Sequence, residues 1–404
     1  MAPKKSSTRR VLVIGGSMSG LFAGLMLRRR GFHVDICERV DSELAGRGAG
    51  IVAQPLVLRT LRELGLSGEN LGVETVTRKV FGAEGHVICE IECPQTLTAW
   101  ERLYRILRDG FPAVHYRRGV GLKNFEQSGD AVIAHLNDGS SVEADVLVGA
   151  DGIRSTVRAQ LLPRLAPAYA GYVAWRAMLP EAAIHSDMFM NMAFCLPPGE
   201  QFLGYPVAGA DNDLRPGHRR YNVVWYRPAD EHSELKQLLT DENGTVHSIS
   251  IPPPLIRRQA IEDMRAAAER LVAPQFRAIA RLMDEPVLQP IYDLETPRMA
   301  FGRVAIIGDA AFVARPHVAA GVSKAVDDAA ALTEALVAEE VEPALLRFET
   351  SRLVEGRRII ERARHLGAYL QATRTQEEQA RSERHSNAEA VIRETALVDF
   401  LQER

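Results

Sequence analysis

A chain of 404 residues is long enough for two or three domains, and 46% hydrophobic with 25% charged residues is the balance of an ordinary globular protein. Its 49 Lys and Arg against 52 Asp and Glu leave a formal charge of -3, which gives no footing for nucleic acid or an anionic membrane as partner. The four cysteines, Cys37, Cys89, Cys93 and Cys195, lack the second pair that a zinc site needs and read as free thiols of a reducing cytoplasm; no metal site is expected.

The uncharged run 11–27 follows Lys4, Lys5, Arg9 and Arg10, as in a signal peptide or anchor. It contains four glycines, is short for a membrane span and is followed by three arginines rather than a cleavage site. A strand over 11–14, a glycine turn and a helix over 19–30 fit it better. Gly15, Gly16 and Gly20 let the backbone approach a phosphate, and the helix points its first amides at it. Arg28, Arg29 and Arg30 suit the negative end of the helix, and Gly31 its stop. Ser17 stands where the G-x-G-x-x-G pattern has its middle glycine. A second strand over 34–37 ends at Glu38, close to the spacing of a carboxylate that binds ribose hydroxyls.

Strand and helix alternate to residue 72, as in parallel βαβ units. Antiparallel strands are expected over 73–93, a helix over 98–108 and strands over 114–148. The run 144–149 reads as another buried strand; it ends at Asp151-Gly152, and Ser155 is placed to cap the next helix. Aromatic residues crowd 168–227, including Tyr172, Trp175, Tyr205, Trp225 and Tyr226, and predict a second sheet whose rings are mostly core. A polar hairpin loop is expected over 211–218, a break at Pro252-Pro253-Pro254, and helices over 256–271 and 275–283. The run 304–307 ends at Gly308-Asp309; Gly321 then opens a helix that carries Asp327 and Asp328. The last 45 residues are helical and charged, and 373–387 is polar all round, a solvated helix or a disordered segment.

Three strand ends in this order, with Gly48-Ala49-Gly50-Ile51, Gln54-Pro55 and 61–66, resemble the flavin-dependent aromatic hydroxylases, single-component FAD monooxygenases of the 4-hydroxybenzoate hydroxylase type. The likeness runs from Val11 to about Arg358. It implies an α/β fold with a Rossmann-like FAD-binding domain, an antiparallel-sheet substrate domain and a helical C-terminal region. The expected boundaries are 1–72, 99–165 and 289–345 for FAD, 73–98 and 166–288 for substrate, and 346–404 for the helical segment.

The same resemblance implies noncovalent FAD, NADH or NADPH as co-substrate, and O2, with hydroxylation through a C4a-hydroperoxyflavin. It places the FAD contacts at Gly15, Ser17, Met18, Ser19, Glu38, Arg39, Arg47, Gln54, Leu122, Asp151, Asp309, Pro316, Ala319, Ala320, Gly321, Val322 and Ser323. The loop 315–321, with Ser17 and the strands around Tyr172 and Tyr205, is similar to the hydroxypyridine hydroxylases of that family. A substrate such as 2,6-dihydroxypyridine is therefore implied, with carboxylated rings (6-hydroxynicotinate, 6-hydroxy-3-succinoylpyridine, salicylate) as the alternative and a non-catalytic FAD-binding protein as the outside case. Tyr205 and His317 are the candidate catalytic, positioning groups; Trp225 is expected to stack on the substrate, and Gln54 to contribute a polar contact. His185, His232 and His247 read as surface residues. The strands over 189–205 offer no Arg or Lys for a carboxylate, which leaves Arg176 or Arg227 to point inward if one is needed. The partner is a small aromatic molecule, not nucleic acid or membrane, and a homodimer is compatible with these features.

The chain departs from the family pattern at three places. Phe312 stands where a histidine often follows Gly-Asp-Ala-Ala, and Trp100 where an arginine often precedes the second FAD helix, with Arg102 displaced by two. Ala319 replaces the first glycine of the flavin loop, which a positive φ would strain.

Overall fold

The structure is a computed structural model and describes residues 8–44 and 50–398. The expectation for Arg47 lies outside the described residues.

The apolar run after Arg9 forms the strand Arg10–Ile14, the centre of a six-stranded sheet. It pairs in parallel with His33–Glu38 on one side and Val146–Gly149 on the other. Val304–Ile306 and Tyr116–Arg118 extend the sheet in parallel, and Ala300–Phe301 closes one edge antiparallel. All four residues of Val146–Gly149 are buried, as a strand covered on both faces requires. The helices Met18–Arg29 and Gly321–Ala338 pack together over this sheet. A parallel sheet places the carboxyl ends of its strands on one edge, which brings Ile14, Glu38, Gly149 and Ile306 to the same end.

The second sheet has nine strands and includes Ala168–Pro180, Met192–Cys195, Gln201–Val207 and Arg220–Pro228 with the hairpin Val73–Phe81 and Val87–Ala99. Gly50–Val52 and Val287–Glu295 also join this sheet, although 1–72 and 289–345 were assigned to the FAD domain. One face packs under the helices Arg258–Leu271 and Pro274–Arg281, through Trp175, Phe202, Tyr221, Val223 and Trp225. The other carries Leu203, Tyr205, Val224 and Tyr226 and meets the C-terminal helix Ala388–Glu394. Side chains alternate across the sheet, so odd and even positions of Arg220–Pro228 serve different layers.

The segment 373–387 is mostly exposed and helical, the first of the two expected states. Gln376–His385 is a helix opened by a capping box between Thr375 and Glu378, and Ser382 and His385 are buried against its neighbours. Among the described residues no helix is long and apolar enough to cross a membrane.

Candidate functional site

A cavity of about 1720 Å3 lies between the two sheets, and a second of about 410 Å3 runs over the carboxyl edge of the parallel sheet. Both are lined by Ser17, Trp100, Ala150 and Gly152, so they form one cleft. The smaller arm gathers Gly15, Ser17, Glu38, Arg39, Leu122 and Asp151. The larger arm gathers Met18, Ser19, Asp309, Pro316, Ala319, Ala320, Gly321 and Val322 beside Tyr205 and His317. Most residues expected at FAD therefore meet in one place. Ser323 is buried in the first turn behind this surface, its hydroxyl donating to the Ala320 carbonyl at 3.3 Å.

The residues fit a dinucleotide with a flavin. Two helices open onto the cleft, at Met18 and at Gly321, and neither has a side-chain cap on its first amides. Gly15 has φ +110°, and a Cβ there would lie 2.2 Å from the Ala150 carbonyl oxygen. Gly152 and Gly321 have nothing within 4 Å of where a Cβ would stand, which leaves room for a ligand against bare backbone. Asp151 accepts from the amides of Thr156 at 2.7 Å and Val157 at 3.2 Å, while its other oxygen is buried without a partner, and burial pushes its carboxyl up. Glu38 accepts from the Gly16 and Val40 amides at 2.8 and 2.9 Å, which fixes its carboxylate where the strand ends.

Two polar groups in the cleft escaped the sequence reading. Lys324 is buried, its Nζ makes no hydrogen bond, and it stands 3.7 Å from Asp309 and 3.9 Å from Asp328. Its signal was a lysine in a first helical turn, where the dipole disfavours a cation. Asn222 lines the cavity; its Oδ1 accepts from the Gly50 amide at 3.0 Å and its buried Nδ2 has no partner. Asp309 itself is half exposed and faces the cavity.

The substrate arm corrects several expectations. Trp225 does not line the cavity: it points to the opposite face of the sheet and stacks on Phe202 at 5.1 Å. Its neighbours Val224 and Tyr226 hold the cavity face instead. Gln54 is buried beside the cavity wall rather than in it, with Nε2 3.5 Å from the Ala396 carbonyl. Tyr205 offers its ring to the cavity, but its hydroxyl donates to the Gly50 carbonyl at 2.6 Å, and burial raises its pKa. His247 is half-buried at the cavity, paired with Asp241 at 3.0 Å, whereas His185 and His232 lie in exposed turns. Arg227 stacks over Trp225 and pairs with Glu200 at 3.2 Å, away from the cavity. Arg176 is the arginine of this pair that points inward; its Nε is buried without a hydrogen-bond partner.

His317 is fully buried, and its Nε2 lies 2.9 Å from the Tyr172 hydroxyl, while Nδ1 is without a partner. Burial, then Arg315 and Arg176, push its pKa down to about 3. The imidazole is therefore neutral at physiological pH and acts as a hydrogen-bonding group rather than a charged acid. The loop that carries it is anchored by Arg315, which grips Asp293 at 2.9 Å and Gln371 at 2.7 Å. Asp35 bonds His33 at 3.1 Å and His115 at 2.8 Å, and these three donor atoms lie within 4.8 Å on the far edge of the parallel sheet.

Ala319 adopts φ +49° and ψ +28°, the left-handed conformation that the missing glycine would have favoured. For an alanine this costs about 1–2 kcal/mol. Ala319→Gly is expected to raise the unfolding free energy by about 0.5–1 kcal/mol once the extra freedom of glycine in the unfolded chain is subtracted. Urea titration reads this directly, and a lower midpoint would mean that the methyl group's packing outweighs the strain.

A family profile described as FAD binding domain-like matches residues 169–293. The chain is 33% identical to 2,6-dihydroxypyridine 3-monooxygenase of Paenarthrobacter nicotinovorans, over 90% of this chain and 92% of that protein. It is 29% identical to 3-amino-4-hydroxybenzoate 2-monooxygenase of Streptomyces cremeus, over 88% and 86%. The structure of 2,6-dihydroxypyridine-3-hydroxylase from Arthrobacter nicotinovorans superposes with a TM-score of 0.84 at 32% identity, covering 90% of this chain and 93% of that one. With this fold, this cleft and these relatives, the chain belongs to the FAD-dependent aromatic monooxygenases.

Proposed function

We propose that the protein hydroxylates an electron-rich hydroxypyridine, 2,6-dihydroxypyridine or a ring close to it, with NADH or NADPH and O2 as co-substrates. The observation that carries this is the cavity beside the flavin loop. It sets the polar side chains of Asn222, His317 and Arg176, each with a nitrogen that has no hydrogen-bond partner, among apolar walls from Val52, Met192, Leu203 and Val224. A small hydroxylated heteroaromatic ring satisfies such a pattern; a long or strongly hydrated ligand does not. The similarity to 2,6-dihydroxypyridine 3-monooxygenase over nearly the whole chain supports the same ring class.

In this reading the turn 15–20 and Glu38 take the ADP part of FAD, with Arg39 and Leu122 along that arm. Asp309 takes ribityl hydroxyls and the amides of Ala320 to Ser323 serve the ring portion in the larger arm, while Asp151 lies in the smaller arm. FAD held by these residues would supply the redox chemistry between NAD(P)H and dioxygen. The chain's tasks are to exclude water and to hold the ring carbon at the correct distance. Tyr172 fixes His317, Gly50 is held between Tyr205 and Asn222, and a hydroxypyridine acidic enough to ionise needs no strong base from the protein. The four cysteines are all free, which suits action in the cytoplasm.

A carboxylated ring is the second reading, and Arg176 in the cavity is the observation that favours it. A panel of hydroxypyridines, 6-hydroxynicotinate and hydroxybenzoates, scored for stimulated NAD(P)H oxidation and for product mass, separates the two. Turnover of benzoates with none of any hydroxypyridine would overturn the substrate assignment and leave the flavin chemistry standing.

Asp309→Ala is expected to weaken FAD binding at least tenfold, about 1.4 kcal/mol, with the fold retained. The half-exposed carboxylate carries little packing, and Asp328 stays 3.9 Å from the buried Lys324 when Asp309 is lost, so the fold is retained. Titration of apoprotein with FAD measures this; wild-type affinity would remove Asp309 from the site.

A further inference from the structure

One wall of the larger cavity is made by the C-terminal segment. Thr395 and Ala396, just past the helix Ala388–Glu394, line it. Val391, Ile392 and Ala396 pack into the same apolar cluster as Leu203, Tyr205, Val224 and Tyr226. A helix of this length, capped by Asn387, still needs tertiary contacts to hold it in place.

Arg78 does. It lies on the strand Val73–Phe81 with 0% exposure. Its guanidinium donates to the Ile392 carbonyl at 2.8 Å, the Thr395 carbonyl at 2.6 Å and Gln95 Oε1 at 2.6 Å. Its hydrogen bonds go to carbonyl oxygens, not to a carboxylate. The buried charge is offset by carbonyls that the end of a helix leaves without partners. Beyond the helix, Ala396 donates its amide to the His317 carbonyl at 2.7 Å, and its own carbonyl accepts from Gln95 at 3.2 Å and Gln54 at 3.5 Å. Ala396 does this at φ +59°, a left-handed conformation that the contacts on both sides must hold. Glu394 ties the outer side of the segment to Arg362 at 2.7 Å and lies 3.3 Å from His385.

We propose that residues 388–396 form the water seal of the reaction cavity and that Arg78 is the positioning residue that seats them. The inference rests on the monooxygenase activity and not on which ring is hydroxylated. In the coupled reaction NADH, a proton, O2 and the aromatic C–H give NAD+, water and the phenol. When water reaches the site before oxygen transfer, the same NADH, proton and O2 give NAD+ and hydrogen peroxide, and the ring is unchanged. A loosened seal therefore moves electrons from product to peroxide without changing flavin binding, because Arg78 lines neither arm of the cleft.

The test uses the full chain loaded with FAD and whichever ring stimulates NADH oxidation most. Arg78→Met is expected to keep the wild-type flavin content while the peroxide formed per NADH rises about threefold or more and iodide quenching of flavin fluorescence rises about twofold. Ala396→Val, a β-branched residue that resists a positive φ, should uncouple in the same way, whereas Ala396→Gly should remain coupled. The two Ala396 variants decide the matter if Arg78→Met does not fold. Flavin-loaded Arg78→Met and Ala396→Val with the wild-type ratio of product to NADH and the wild-type quenching would overturn the proposal. Failure of every hydroxypyridine as substrate would leave it intact.

Discussion

Gly15→Ala is expected to give a protein that purifies without its yellow colour. At φ +110° an L-residue is strained on its own account, by about 1–3 kcal/mol. Its Cβ would also stand 2.2 Å from the Ala150 oxygen and 2.8 Å from the Asp151 nitrogen. Neither backbone atom can retreat cheaply. The Ala150 amide donates to the Ile14 carbonyl at 2.7 Å and the Gly15 amide to Cys37 at 2.8 Å, so both strands flanking Arg10–Ile14 would have to give. The turn carries the first amides of Met18–Arg29 and the approach to Asp151, so FAD retention should fall by at least about a hundredfold, near 2.7 kcal/mol. Gly31→Ala is the control. That glycine has φ +89° but nothing within 4 Å of a Cβ, so its cost is about 1 kcal/mol and its flavin content should be unchanged. The ratio of flavin to protein absorbance, with the melting temperature, reads both; wild-type flavin in Gly15→Ala would mean that the turn does not cradle the cofactor.

The carboxyl edge of the parallel sheet was legible because local chemistry determines it. The strand ends announce themselves by an apolar run followed by a glycine, an acid or both, and parallel pairing then brings Glu38, Asp151 and Asp309 to one edge without further information. The substrate arm was not legible to the same depth. In Arg220–Pro228 every residue from Tyr221 to Tyr226 is buried, so no alternation of apolar and polar residues marks which face meets the cavity. Trp225 was taken for the cavity and belongs to the core, whereas Asn222, a polar residue in that run, was passed over although a buried amide needs a partner. Arg78 illustrates a different limit. It meets Thr395 across 317 residues, and no local pattern can encode a contact at that separation. Lys324 was within reach, since a lysine in the first turn of a helix that opens onto the cleft contradicts the helix dipole and calls for an anion nearby.

Arg176→Gln is expected to raise the KM for an ionised ring by roughly 10–100-fold, about 1.5–3 kcal/mol, with a smaller fall in kcat. The neighbouring Trp175 points into the helix-covered core, so strand alternation turns Arg176 to the cavity, where its Nε lies buried and without a partner. Of the other buried cations that line the cavity, Arg315 is already neutralised by Asp293, and Lys324 stands beside Asp309 and Asp328. His317, its pKa pushed down to about 3, contributes no charge. Arg176 has no carboxylate within salt-bridge distance and is thus placed to meet an anion, whether an ionised ring hydroxyl or a carboxylate. A pH signature follows. With its pKa pushed down to about 3, His317 adds no change of charge of its own to ligand affinity between about pH 5 and 8. A hydroxypyridine should bind the wild type more tightly as pH rises through its pKa and becomes an anion, and Arg176→Gln should flatten that rise. Titrating oxidised enzyme with ligand and following the flavin spectrum at several pH values measures both. Loss of affinity for 6-hydroxynicotinate alone, with the dihydroxypyridine unaffected, would move the reading to a carboxylated substrate. Equal affinity of wild type and Arg176→Gln for every anionic ring would show that the inward arginine serves the fold and not the ligand.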